Sequence, residues 1–324
     1  MFDIILQEAR ALTVAEKRRL VEAIRALIAD GLAGRHEEGA RRRRAAEVAL
    51  QVVRQDLLGE DRLGRGDVEA AGIDLGRLRG GHVAGESLRE LARRCHVCPG
   101  TSWFMRMRLF EVMGAALQAF RTGPTVSCQF DGTYLNESLT GNRARSRTGM
   151  SRRPHRNGES VHARGISREK VCVVCAANDL GDEFAAVCGR GRPTDAGLRG
   201  SLAGVVDGSW VSTDDHASYA RVLPSLGVAE HVATATRDAR GGELELVDAM
   251  HQRLKIFLAP FHGVSTRWLG RYLDCFRWLE QARHSDADRG ETLSGQLAAG
   301  RYAHTRRDLI EEPQPLWDYW EARA

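Results

Sequence analysis

Lysine is nearly missing from this chain: of 47 Lys and Arg residues, only Lys17, Lys170 and Lys255 are lysines. Positive charge therefore rests on guanidinium groups, which grip phosphate in a bidentate fork. The bias fits a polyanionic partner, and equally a GC-rich coding sequence. No apolar run of about 18 residues and no signal-peptide pattern occurs, so a soluble, cytoplasmic protein is expected. The cysteines are seven, an odd number, and their spacing is not that of a secreted disulfide framework. Cys95-His96-Val97-Cys98 and Cys172-Val173-Val174-Cys175 are each a lone C-x-x-C, whereas a zinc site needs four ligands. The second pair sits in a β-branched run that reads as a strand. Side chains three apart on a strand face opposite sides, so zinc is not expected. Residues 33 to 80 hold neither cysteine nor aromatic residue.

What is present has the organisation of several segments. The chain is 324 residues long, 43% hydrophobic and of formal net charge +4, enough for one large domain with smaller additions. Residues 1–32 read as helical, with the capping box Thr13-Val14-Ala15-Glu16 and apolar residues at helical spacing. Residues 33–80 form an irregular Arg/Gly-rich segment around Arg41 to Arg44, read as a solvated basic linker. Residues 81–122 read as a helix, a break at Cys98-Pro99-Gly100 and a longer helix from Thr101, which suggests a helix-turn-helix. Ser102, Arg106 and Arg108 on the second helix are the candidate DNA readers; an ordinary helical hairpin has the same spacing.

From Thr125 the period changes to that of strands. Strands are predicted over 125–134, 170–177, 183–188, 209–214 and 231–236, the second and third joined by a turn at Asn178 to Gly181. Helices are predicted over 195–206, 215–223, 245–258 and 266–284. Strands first and helices between the later strands indicate a mixed α/β catalytic domain over 123–285. The stretch 140–164 is basic, Gly-rich and aperiodic, a loop. In the tail 286–324, Trp317, Tyr319 and Trp320 are placed to dock on the body or on a partner chain.

Three carboxylates stand at informative places. Asp131 follows Phe130 near the end of the first strand, Asp214 ends the fourth, and Asp248 lies near the start of a strong helix. Carboxylates at neighbouring strand ends can share metal ions, and two such ions about 3.5–4 Å apart can drive phosphodiester displacement. A strand-end Asp also serves as a turn residue or helix cap, and spacing alone does not choose between the two. On the third helix, at 100° per residue, Asp248, His251, Gln252 and Lys255 share one arc. Leu246, Met250, Leu254, Phe257 and Leu258 are expected on the opposite, packed side. Glu245 is the rival to Asp248.

The text around these acids resembles bacterial insertion-sequence transposases of the DDE type, above all the insertion-sequence family fifteen-ninety-five. The first block is Phe130-Asp131-Gly132-Thr133-Tyr134 with Gly141-Asn142-Arg143. The second is Thr213-Asp214-Asp215-His216-Ala217-Ser218-Tyr219. The third runs Val247-Asp248-Ala249-Met250-His251-Gln252-Arg253-Leu254-Lys255, then Phe261-His262-Gly263-Val264-Ser265-Thr266. The resemblance covers about 81–285. It implies a ribonuclease H-like fold and two Mg²⁺ (or Mn²⁺) ions on Asp131, Asp214 and Asp248. It further implies strand transfer of the element's terminal inverted repeats into target DNA, and on the shared helix arc His251 is then a candidate for ordering DNA or solvent and Lys255 for contact with the scissile-strand phosphate. The partners implied are double-stranded DNA and further copies of the chain, as a homodimer or higher oligomer at the nucleoid. Three residues depart from the family: Gly132 replaces a Glu, Asp215 a Gly, and Asp248 stands where many members have Asn. The zinc ribbon that members carry before the helix-turn-helix is missing, and the Arg, Gly and Ala richness of 33–80 is also what an off-frame reading of GC-rich DNA gives. A decayed or repurposed transposase that folds without cutting is the alternative.

Overall fold

A computed structural model describes residues 85–139, 165–234 and 244–321, apart from His96, Asp286, Arg301, Ala303 and Trp317. The segments expected over 1–32 and 33–80 and the loop 140–164 lie outside the described residues. The described chain divides into two compact units. The smaller holds residues 85–109 and 294–307, the larger 110–293 and 308–321.

In the smaller unit, α1 (Leu88–Arg94) is capped by Ser87, whose hydroxyl accepts the Glu90 N–H at 3.2 Å. This is half of the expected capping box; the Glu90 carboxylate instead pairs with Arg93. A short connection leads to α2 (Pro99–Ala115). Proline at the first position is tolerated there because its missing N–H has no partner to lose.

The larger unit is built on a five-stranded sheet: β1 (Ser127–Asn136), β2 (Lys170–Asn178), β3 (Glu183–Arg190), β4 (Trp210–Asp214) and β5 (Glu230–Thr234). Its order is β3-β2-β1-β4-β5. The first three strands form the expected antiparallel meander, while β4 and β5 run parallel to β1. Together with helices α3 (Asp195–Leu202) and α4 (Ala217–Val222) between the strands, and α5 (Glu245–Leu258) and α6 (Leu269–Arg283) after them, this is the mixed sheet of a ribonuclease H-like domain. The chain ends with α7 (Arg289–Ala299), α8 (Arg306–Glu311) and α9 (Asp318–Glu321).

The two faces of the sheet make two cores. Cys128, Phe130, Cys172 and Val174 pack with Leu198, Leu202, Tyr219 and Val222 of α3 and α4. On the other face Val171, Val173 and Cys175 pack with Val247, Met250 and Leu254 of α5 and with Leu269, Leu273 and Phe276 of α6. The β2 strand is apolar from Val171 to Ala177 because both its faces are covered. Strand alternation puts Cys172 and Cys175 into opposite layers, as read from their spacing.

Local chemistry fixes the connections. The Asn178 side chain accepts the N–H of Leu180 and Asp182 and closes the β2–β3 turn, with Gly181 at φ 82°. Arg121 clamps Asp182 from outside. At Gly197 a Cβ would lie 2.3 Å from the Cys188 carbonyl oxygen, so only glycine lets α3 settle on β3. After α5, His262 (φ 51°) and Gly263 (φ 107°) reverse the chain, Val264 packs on the α5 layer, and Thr266 pairs with Ser138 through two hydrogen bonds. The Phe261-His262-Gly263-Val264-Ser265-Thr266 block is thus an architectural tie that anchors the segment after β1. Of the tail aromatics, Tyr319 docks on the body beneath Arg190, 4.9 Å from guanidinium to ring centre, and Arg190 also donates to the Leu316 carbonyl.

Candidate metal centre

The pairing of β1 with β4 brings the first two acids together. Phe130 lies opposite Thr213 in parallel register, so Asp131 and Asp214, 83 positions apart in sequence, occupy the next step on neighbouring strands. Alternation sends Phe130 and Val211 into the α3/α4 core, which leaves Asp131 and Asp214 on the α5 face. β1 runs on five residues past Asp131, so that residue is mid-strand rather than near the strand end expected from the sequence. The opening exists because β4 is short and stops at Asp214.

The third side of the site is α5. Its N-terminus is held on β1 by Gln129, whose side-chain oxygen accepts the N–H groups of Leu246 and Val247. Asp248 and His251, one turn apart, then face Asp131. The His251 Nδ1 is 3.9 Å from an Asp131 oxygen and 4.0 Å from an Asp248 oxygen. Among the described residues, Asp131, Asp248 and His251 form a group whose ligand atoms lie within 4.8 Å of one another. Asp214 stands outside that tight group, yet close enough that its charge acts on the Asp131 carboxyl.

Electrostatics are those of crowded, half-dry carboxylates. Burial first, and then the charges of Asp214 and Asp248, push the Asp131 pKa up to about 7, against the Gly132 N–H that donates to its Oδ1 at 2.6 Å and the nearby Lys255. Burial also raises the Asp214 carboxyl, opposed by the His216 N–H and by the charges of His216 and Arg192. Burial lowers the His251 pKa to about 4, so its ring is neutral at pH 7. The helix-cap explanation for Asp214 does not hold, because His216 is the N-cap of α4.

A divalent cation fits this donor set. Two carboxylates and an imidazole converge with no hydrogen bond between the carboxylates and the ring, which is bonded to the Asp131 backbone. One Asp214 oxygen is buried with no hydrogen-bond partner among the described residues. Hard divalent ions take such carboxylate oxygens. The Gly132 departure does not strip a ligand from this face. Alternation turns position 132 toward the other layer, where a Cβ would meet Tyr134 Oη at 3.4 Å and Cys172 Sγ at 3.6 Å.

Several expectations are corrected. Ser102, Arg106 and Arg108, expected at the surface, are buried, being 0%, 3% and 1% exposed. Arg106 donates to the Glu86 carbonyl and Arg108 to the His304 carbonyl, so these guanidiniums satisfy backbone oxygens in the smaller unit. The His251 side chain is 9% exposed and turned to the two acids. Leu246, assigned to the packed face of α5, is exposed, and the buried set is Val247, Met250, His251 and Leu254. The packed face is rotated by about 40° toward the polar side, at 100° per residue. Gln252 and Lys255 remain exposed as read, and so does Glu245, which is not in the converging group. Arg192 and Tyr219 were not singled out as site residues. Arg192, just after β3, places a cation by Asp214; Tyr219 is fully buried with its hydroxyl unpartnered among the described residues, in the field of Asp131 and Asp214. Tyr219 ends the second sequence block, and that was its only signal.

No family model matches the chain, and no curated protein does. Solved structures with a similar chain course include one from the simian T-cell lymphotropic virus intasome in complex with PP2A regulatory subunit B56 gamma. It shows 12% identity and a TM-score of 0.28, over 74% of this chain and 76% of that one. The Mos1 mariner paired end complex with Mn gives 12% identity and a TM-score of 0.26, over 89% and 93%. A pre-cleavage Mos1 transpososome gives 11% and 0.24, over 66% and 74%. Likenesses this loose carry nothing about activity. No described helix is long and apolar enough to cross a membrane.

Proposed function

We propose that this chain is a DDE-type transposase that cuts DNA at the ends of an insertion sequence and joins them to target DNA. The observation that carries the reading is the shared register of Asp131 and Asp214 on one sheet face, with Asp248 brought against Asp131 by α5. In this reading Asp131, Asp214 and Asp248 hold two divalent ions. When bound, such ions supply Lewis-acid stabilisation of a phosphodiester and a nucleophile active at neutral pH. The protein's own share is positional. Gly132 N–H fixes one Asp131 oxygen, Gln129 pins the helix that carries Asp248, and the sheet keeps the acids from spreading apart under mutual repulsion. In the same reading exposed Lys255, close enough to act on the Asp131 charge, would contact a phosphate of the scissile strand. Phosphate contacts elsewhere fall to exposed Arg93 and to the basic loop 140–164.

The test uses purified protein and labelled duplexes carrying the inverted repeats that flank the gene, with Mg²⁺ or Mn²⁺ and with EDTA. Metal-dependent nicking at the repeat boundary is expected. Retained end binding with no nicking in either metal would instead favour the second reading, a decayed transposase, which the absence of any cysteine from 33–80 supports.

A further inference from the structure

We propose that His251 is a metal ligand, and that the ion held between Asp131, Asp248 and His251 is a first-row transition ion such as Mn²⁺ in preference to Mg²⁺. The proposal deepens the reading above and rests on it for the identity of the site. Its ground is the geometry of three donors. The Nδ1 of His251 lies 3.9 Å from an Asp131 carboxylate oxygen and 4.0 Å from an Asp248 carboxylate oxygen, beyond hydrogen-bond reach of both carboxylates, while the ring is hydrogen-bonded to the Asp131 backbone. An ion with ligand bonds of about 2.1 Å spans such gaps. The imidazole is nine-tenths buried, and its Nε2 has no hydrogen-bond partner among the described residues. A buried ring nitrogen left without a partner is costly unless a further group completes it. Position on α5 serves the same end. Asp248 and His251 are three residues apart, so they lie on one side of the helix, and β1 presents Asp131 from the opposite wall. Mg²⁺ prefers oxygen ligands and binds imidazole poorly, whereas later divalent ions accept a mixed nitrogen and oxygen set.

The experiment is spin-echo EPR of Mn²⁺ added to metal-free, full-length protein, beside calorimetric titration with Mn²⁺ and Mg²⁺. Wild-type protein is expected to show nitrogen modulation on the Mn²⁺ signal, and growth on ¹⁵N-histidine should change its frequency. That isotope arm needs no variant and so does not depend on a mutant folding. His251→Gln should lose the modulation and bind Mn²⁺ about tenfold or more weakly, with a smaller change for Mg²⁺. Bound Mn²⁺ without nitrogen modulation, modulation that survives His251→Gln, or no Mn²⁺ binding overturns the proposal. The two readings fail separately. Metal-dependent nicking without a nitrogen ligand removes only this inference. Nitrogen-ligated Mn²⁺ in a protein that binds but never nicks its element ends removes the transposase reading and leaves this one.

Discussion

Asp131→Asn should stabilise the metal-free protein. Burial and the neighbouring acids move the Asp131 pKa from 3.8 to about 7, so ionising it at pH 8 opposes folding. At about 1.36 kcal/mol per tenfold change in proton affinity, that opposition is on the order of 4 kcal/mol. The side chain is 27% exposed, and solvent screening reduces the figure to about 1–3 kcal/mol. The sign follows from proton linkage. The folded state keeps the proton to about pH 7 while the unfolded chain releases it near 3.8, so wild-type stability in EDTA falls as pH rises through that window. Asparagine removes the ionisation and can still accept the Gly132 N–H. For a unit of this size, about 2 kcal/mol is a rise of roughly 4–8 °C in Tm. Thermal unfolding followed by circular dichroism at pH 5 and pH 8, in EDTA and then in excess Mn²⁺, is the assay. Wild type should be the less stable protein at pH 8 in EDTA, and metal should narrow or reverse the order, since a ligand at 100 times its Kd adds about 2.7 kcal/mol. A variant that melts lower than wild type at pH 8 in EDTA, or that gains as much from Mn²⁺, would refute the reasoning.

Three further outcomes follow from the same geometry. Arg108→Ala should cost about 1–3 kcal/mol of stability by removing a fully buried side chain together with its bond to the His304 carbonyl, measured as a lower urea midpoint; an unchanged midpoint with altered DNA sequence preference would restore it as a base reader. Glu137 and Arg190 form a buried ion pair, and Glu137→Ala should cost about 3–5 kcal/mol because it removes the carboxylate paired with a buried guanidinium, while the double replacement by apolar residues recovers much of that. Asp248→Ala should abolish nicking, Asp248→Asn should keep part of it through the amide oxygen, and Glu245→Gln should leave it intact; a dead Glu245→Gln beside an active Asp248→Ala would reassign the third acid.

The sheet was legible because its signals are local. The β2 run is apolar on both faces, Asn178 to Gly181 is a turn by composition, and helices 195–202 and 245–258 begin where their periodicity places them. The acids of the site were legible because sequence motifs mark them, and strand alternation correctly separated Cys172 from Cys175. What the sequence hid depends on long-range contact. Arg106 and Arg108 look like surface charge until backbone carbonyls from distant segments cover them. His251 sits where the packed and polar arcs of α5 overlap, and an idealised wheel cannot say on which side of that border the sheet lies. Gln129 sets that rotation by holding the start of α5, a contact across 117 positions.

The central claim is that Asp131 and Asp214 serve one metal-dependent reaction on DNA. The most direct measurement compares wild type with Asp214→Ala on end-labelled inverted-repeat duplexes, with binding read by gel shift and nicking by denaturing gel in Mn²⁺. The account predicts near-equal binding and nicking by the wild type alone. Equal nicking by both proteins, or loss of end binding together with loss of nicking in a folded Asp214→Ala protein, would contradict it.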